Sequence, residues 1–244
     1  QGQEKLGYYP TPESLVGTIA SYLASAEPRS ARLLDPCAGG GEALAALGHL
    51  LDARETWGSE LSPERAAQAA TRLTLAHPCA WQACRVGRAS ISLMLLNPPY
   101  DTDTLGHTRL EQQFLDDTAH VLQPGGVLVY IIPQRQLANP AIARHLAARY
   151  ERLMIVRFPD GEFERFEQIV VFGLRKRQAL TPRADEVDAL IQLGRADPQT
   201  LPVLTPQSAP RYSVPRAPDI DRDGRPVAFR RLSYAPEEIV AAVR

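Results

Sequence analysis

At 244 residues, 44% of them hydrophobic, the chain can bury one substantial core, or one core with a small appendage. No apolar run approaches the ~18 residues of a membrane span, and the polar start Gln1-Gly2-Gln3-Glu4-Lys5 lacks the hydrophobic stretch of a signal peptide. The net charge of −1 is evenly spread, a less basic balance than a stand-alone nucleic-acid binder usually shows. Cys37, Cys79 and Cys84 match neither a disulfide framework nor a zinc spacing, so no metal is expected and the expected compartment is a reducing cytoplasm.

In chain order, a helix is predicted from Thr11-Pro12 to about residue 26, with proline at an early helical position. Residues 31–35 read as a strand and 41–53 as a helix, joined by Asp35-Pro36-Cys37-Ala38-Gly39-Gly40-Gly41. The glycines permit positive φ and close backbone approach, and the helix offers unpaired N–H groups at its start. A G-x-G-x-x-G fingerprint begun at Gly39 needs glycine where Leu44 stands, which argues against a nicotinamide or flavin site. The next strand-like run, Thr56-Trp57-Gly58-Ser59-Glu60, ends in an acid placed to hold ribose hydroxyls at a strand tip. Ser62-Pro63-Glu64 predicts a helix start, continuing to about residue 77. Residues 80–86 and 91–96 read as the third and fourth strands.

The fourth strand closes on Asn97-Pro98-Pro99-Tyr100. Neither proline has an N–H to donate, so the ladder must stop there. What remains at the tip is two acceptors, the Asn97 side-chain oxygen and the Pro98 carbonyl, beside the Tyr100 ring. That set suits a planar aromatic amine, whose N–H protons the acceptors take while the ring stacks on its face.

Beyond it, residues 101–109 form a polar loop placed to close over a substrate, with His107 read as a solvated residue. A helix over 110–122, the turn Gln123-Pro124-Gly125-Gly126, a buried fifth strand over 127–132 and a helix over 139–150 follow. Strands over 153–158 and 168–174, joined by a short loop, read as an antiparallel hairpin. A short helix is expected over 182–193. Residues 198–236 are proline-rich and read as extended, with Arg211, Arg216, Arg222, Arg225, Arg230 and Arg231 among Tyr212, Phe229 and Tyr234. A wrapping tail or linker is favoured there over a nucleic-acid arm, because Asp219, Asp221 and Asp223 dilute the charge.

Taken in order, these motifs resemble the class I S-adenosylmethionine-dependent methyltransferases of the NPPY amino-methyltransferase group, most closely the DNA adenine-N6 enzymes. The resemblance runs from about Tyr9 to Arg175. It implies an α/β, Rossmann-like sheet of seven strands in the order 3-2-1-4-5-7-6, the last strand antiparallel, with helices on both faces. A catalytic domain over 1–177 and a C-terminal extension over 178–244 are expected. The resemblance implies cofactor contacts from Tyr9, Thr11, Pro12, Asp35, Pro36, Gly39, Gly41, Glu60, Leu61 and Asn97, and catalysis by Asn97, Pro98, Pro99 and Tyr100. Stacking of the target base is expected from Tyr100 with Phe163 or Phe166. The family often has an acid after the third strand; the stretch 82–88 has none.

The implied cofactor is S-adenosyl-L-methionine. The implied partner is DNA, with a separate specificity subunit or a further recognition domain, and no membrane. An RNA base, a protein glutamine, cytosine N4, or a catalytically silent subunit of a larger assembly remain alternative readings. Restriction-modification, phage defence and housekeeping roles look alike at this level.

Overall fold

The computed structural model describes residues 11–100 and 109–232, with the side chains of residues 165 and 166 excepted. The strands are β1 (Leu23–Ser25), β2 (Arg32–Asp35), β3 (Glu55–Ser59), β4 (Leu75–His77), β5 (Cys84–Val86), β6 (Ile91–Leu96), β7 (Leu122–Pro133), β8 (Tyr150–Arg157), β9 (Gln168–Arg175), β10 (Tyr212–Val214) and β11 (Phe229–Arg231). The helices are α1 (Glu13–Ala20), α2 (Glu42–Leu50), α3 (Pro63–Arg72), α4 (Leu110–Thr118), α5 (Pro140–Arg149), α6 (Asp160–Phe166) and α7 (Ala184–Arg195).

Seven strands form one sheet in the order β4-β3-β2-β6-β7-β9-β8. Counted along the sheet strands alone, this is 3-2-1-4-5-7-6, as expected. β9 runs antiparallel to both β7 and β8, and the other pairings are parallel. Every residue of β2 and β6 is buried, so helices must cover both faces, as parallel sheets require. The parallel register brings the ends of β2, β3 and β6 to one edge, where Asp35, Glu60 and Asn97 emerge.

Several boundaries differ from the sequence expectation. The third sheet strand is Leu75–His77, not residues 80–86, and α3 stops at Arg72. The cause is a tertiary pairing: Thr56 N–H donates to Thr74 Oγ1 and Thr74 N–H donates to Thr56 Oγ1, each at 3.1 Å, drawing the chain out of helix and alongside β3. Cys84–Val86 pairs instead with β11, in a two-stranded sheet of its own. The first helix ends at Ala20, and β1 pairs in parallel with β10. The connection inside the β8–β9 hairpin is a helix, α6, rather than a plain loop.

Residues beyond 177 pack onto this sheet. Tyr22, Phe172 of β9 and Tyr212 of β10 stack in series, with ring centroids 4.8 and 5.7 Å apart. Phe229 lies 5.6 Å from the Trp57 ring and edge-on to His77 at 4.4 Å. The buried Arg32 guanidinium covers Trp57 at 4.5 Å, pairs with Glu55 at 2.5 Å, and donates to the carbonyls of Ser90 and Pro218. Arg216, from the arginine-bearing stretch, pairs with Glu27 at 3.4 Å.

α7 seats on the 3-10 turn Gln134–Ala138 through Gly194, where an added Cβ would come within 2.3 Å of the Ala138 nitrogen and 2.8 Å of the Leu137 carbonyl carbon. Those are backbone atoms, so the helix must shift. Gly194→Ala is therefore expected to cost about 1–3 kcal/mol, seen as a lower urea midpoint at unchanged slope. Unchanged stability would show that α7 is not seated as described.

Candidate active site

The glycine turn is built by strand geometry. Gly39 and Gly41 have φ of +57° and +85°, and a Cβ on Gly41 would come within 3.1 Å of the Ala69 backbone on α3. Ala38 N–H donates to the Ser59 carbonyl at 2.9 Å, and Ser59 Oγ donates to the Pro36 carbonyl at 2.8 Å. These bonds hold the tips of β2 and β3 side by side.

Glu60 is buried there and organises both elements. Its Oε2 accepts the Gly39 N–H at 3.0 Å, and its Oε1 accepts the Ser62 N–H at 2.8 Å and Arg65 Nη2 at 2.7 Å. A carboxylate has about four acceptor sites, so three donors leave capacity for a ligand hydroxyl. Next to this buried acid, Leu61 is 68% exposed, an apolar surface open to a flat ring.

Asp35, at the neighbouring tip, is also buried, and its Oδ1 accepts the Cys37 N–H at 2.9 Å. Burial pushes its carboxyl up to about 7; the Cys37 N–H opposes this and Glu60 adds to it. Burial and then Asp35 push the Cys37 thiol well above its ordinary value, so it stays protonated. Its Sγ lies 3.2 Å from the Asn97 carbonyl, joining the glycine turn to the tip of β6.

Asn97 is oriented from both ends. Its Nδ2 donates to Thr11 Oγ1 at 3.2 Å, and its Oδ1 accepts the Tyr100 hydroxyl at 3.0 Å. The Tyr100 hydroxyl in turn accepts from Gln168 Nε2, at the start of β9. Thr11, Asp35, Gly39, Glu60, Asn97 and Tyr100 thus meet at one edge, with Pro12 opening α1 beside Thr11, and Pro36, Pro98 and Pro99 in the connecting turns. Tyr9, the side chain of Phe166 and the loop holding His107 lie outside the described residues. Phe163 is buried in the core, with the Arg157 guanidinium 5.7 Å from its ring centroid, so a base could stack on it only after α6 moved. The turn after the relocated third strand, His77-Pro78-Cys79-Ala80, still lacks an acid.

Three participants escaped the sequence reading. Arg65 stands in the first turn of α3 and could have been sought from its spacing to Glu60. Gln168 gives no local signal, being 68 residues from Tyr100. Cys37 was visible only as one of three cysteines that match no disulfide or zinc spacing.

The fold is that of the Rossmann-like methyltransferases. The profile of the Uncharacterised methyltransferase family (DUF6094) matches residues 2–217, and the chain belongs to that family. No curated protein matches it. Among solved structures, the methyltransferase subunit of a type I restriction-modification system from Streptococcus thermophilus is similar at 16% identity and a TM-score of 0.53. That match covers 79% of this chain and 54% of the subunit, about half its length. A predicted O-methyltransferase from Agrobacterium tumefaciens is 20% identical over 74% of this chain and 96% of its own, with a TM-score of 0.44. M. jannaschii TYW2, solved with AdoMet, is 13% identical over 68% of this chain and 78% of its own, with a TM-score of 0.47.

The raised Asp35 carboxyl has a testable consequence. Between pH 4 and 7 the folded state holds a proton on Asp35 that the unfolded state has released, so stability falls as pH rises through that window. The fall attributable to Asp35 is roughly 4 kcal/mol at most. Asp35→Asn is expected to flatten it in urea unfolding measured at pH 4, 5.5 and 7; parallel profiles would place the titration elsewhere.

Proposed function

We propose that this protein transfers a methyl group from S-adenosyl-L-methionine to an exocyclic amine of a nucleic-acid base, adenine N6 in DNA being the substrate the motifs favour. One observation supports this above the others: the Asn97 amide is fixed through Thr11 so that its oxygen faces the Tyr100 hydroxyl, a donor standing where a substrate amine would donate.

The residues fit the cofactor. Two neighbouring buried acids, one raised to about 7, suit a ligand that brings positive charge and hydroxyl donors, and exposed Leu61 suits an apolar ring face. Asp35 would face the charged end, Glu60 the ribose hydroxyls and Leu61 the adenine. When bound, the cofactor supplies a methyl group already activated on a sulfonium. The protein then has to align the attack and favour the developing charge.

An exocyclic aromatic amine is a poor nucleophile because its lone pair is delocalised into the ring. Accepting its two N–H protons at Asn97 Oδ1 and the Pro98 carbonyl favours a pyramidal nitrogen and frees that lone pair. The methylated nitrogen, cationic and strongly acidic, gives its extra proton to water once S-adenosylhomocysteine has left, so no general base with a tuned pKa is required. A base in duplex DNA must leave the stack at a cost of a few kcal/mol, and stacking on Tyr100 offsets part of it. Reading of the target sequence falls to a specificity subunit or a further domain, in keeping with the chain's near-neutral charge.

Two experiments test this reading. Asn97→Ala is expected to abolish transfer of tritiated methyl to unmethylated DNA while cofactor affinity by calorimetry stays within a few-fold. Label in RNA or protein instead would move the substrate assignment, and a fully active variant would refute the mechanism. At Tyr100 the ring matters more than the hydroxyl, which competes with the substrate for Asn97. Tyr100→Phe is therefore expected to keep or raise kcat/KM, and Tyr100→Ala to lower it at least about tenfold, in line with ~1–3 kcal/mol per stacked base. Equal losses in both variants would give the hydroxyl the leading role.

A further inference from the structure

The other end of the sheet holds a second concentration of chemistry. β6 and β7 begin there and antiparallel β9 ends there, so it lies about 20 Å from Asn97, the length of the six residues of β6 at roughly 3.3 Å each. A cleft of about 210 Å³ opens at this end, lined by Arg88, Arg149, Arg175, Lys176, Arg177 and Arg222. These come from four separate stretches: the turn before β6, the end of α5, the end of β9, and the C-terminal segment. No acidic side chain lines the cleft among the described residues. Asp223 reaches Arg88 from outside, at 3.7 Å.

Part of this charge has structural work. Lys176 Nζ donates to the Ala147 carbonyl at 2.7 Å, completing the end of α5. Arg175 donates to the carbonyls of Ala119, Arg149 and Lys176. Carbonyls satisfy donors but do not neutralise charge. Burial lowers the Arg175 pKa; Tyr150 opposes this, and Arg149 and Arg222 lower it further. On a chain of net charge −1, six cations gathered in one concave site repel one another; only Arg88 has a carboxylate partner among the described residues, and an anion supplying counter-charge to the other five would relieve this.

We infer that this cleft is a phosphate-binding site, separate from the methyl-transfer edge, for a ligand carrying two or more phosphates. Guanidinium forks match phosphate oxygens in pairs, and six cations exceed what one phosphate can engage. Successive phosphates of a nucleic-acid strand, or the oligophosphate of a nucleotide, supply the required spacing of charge. Because the site is remote from Asn97, it stands independently of which group is methylated.

The test uses the full chain with a short fluorescent oligonucleotide, single-stranded or duplex, and with inorganic pyrophosphate. Arg177→Glu/Arg222→Glu removes two lining charges to which no structural hydrogen bond of the side chain is assigned. Arg177→Gln/Arg222→Gln serves if the reversal fails to fold. Wild-type binding of the oligonucleotide, displaced by pyrophosphate, would assign a strand backbone to the cleft; binding of pyrophosphate alone would assign a small phosphorylated ligand. Either ligand is expected to bind the variant at least about tenfold more weakly. For the oligonucleotide, the slope of log affinity against log salt is expected to fall by about 2, one for each lost contact. Affinity for S-adenosylhomocysteine should be unchanged, showing that the other edge is intact. Equal binding to wild type and variant, or binding of neither ligand to wild type, would overturn the assignment.

Discussion

The carboxylate of Glu60 holds the functional edge together. One of its oxygens takes the Gly39 N–H from the turn after β2, and the other takes the Ser62 N–H and the Arg65 guanidinium from the start of α3. A buried carboxylate is tolerated only when its lone pairs are met. Here the groups that meet them are those that shape the glycine turn. Remove the side chain, and the Arg65 guanidinium and the Gly39 N–H each lose an acceptor within the same small volume. The Ser59–Pro36 and Ala38–Ser59 bonds depend on the same close approach of β2 and β3. The geometry of Asp35 follows from that approach, and so does the thiol contact that carries it over to Asn97.

The sequence was most legible where chemistry and chain geometry coincide. Asp35, the glycines and Glu60 show themselves because a strand must end where its polar residue emerges, and Asn97-Pro98-Pro99 because proline ends a ladder. The antiparallel hairpin at the sheet edge was legible from two apolar runs too close together for a crossover. The third strand was misplaced because Leu75–His77 is only three residues long and follows a helix with no glycine or proline to mark its end. Its position is set by Thr74 and Thr56, which meet only in three dimensions.

The same limit explains what was missed in the site. Gln168 reaches the Tyr100 hydroxyl because β9 runs antiparallel to β7 and brings its first residue to the edge where β6 ends. No spacing along the chain encodes that. Phe163 carries the signature of an exposed loop aromatic, yet it sits on α6 with its ring turned into the core, the Arg157 guanidinium 5.7 Å from the ring centroid. The proline-rich stretch read as tail or linker because its partners are distant: Tyr212 finds Phe172, and Phe229 finds Trp57 and His77. The family match, which extends to residue 217, already reaches into this stretch.

The placement of Phe229 gives the order of synthesis a role in folding. Trp57 and His77 belong to β3 and β4, made early, while the ring that covers them is made more than 150 residues later. Until then a nascent chain lacks the ring that packs on Trp57 and on His77 of the outer strand, next to Glu60. A chain cut before residue 229 would therefore present an indole face and an open strand edge next to Glu60.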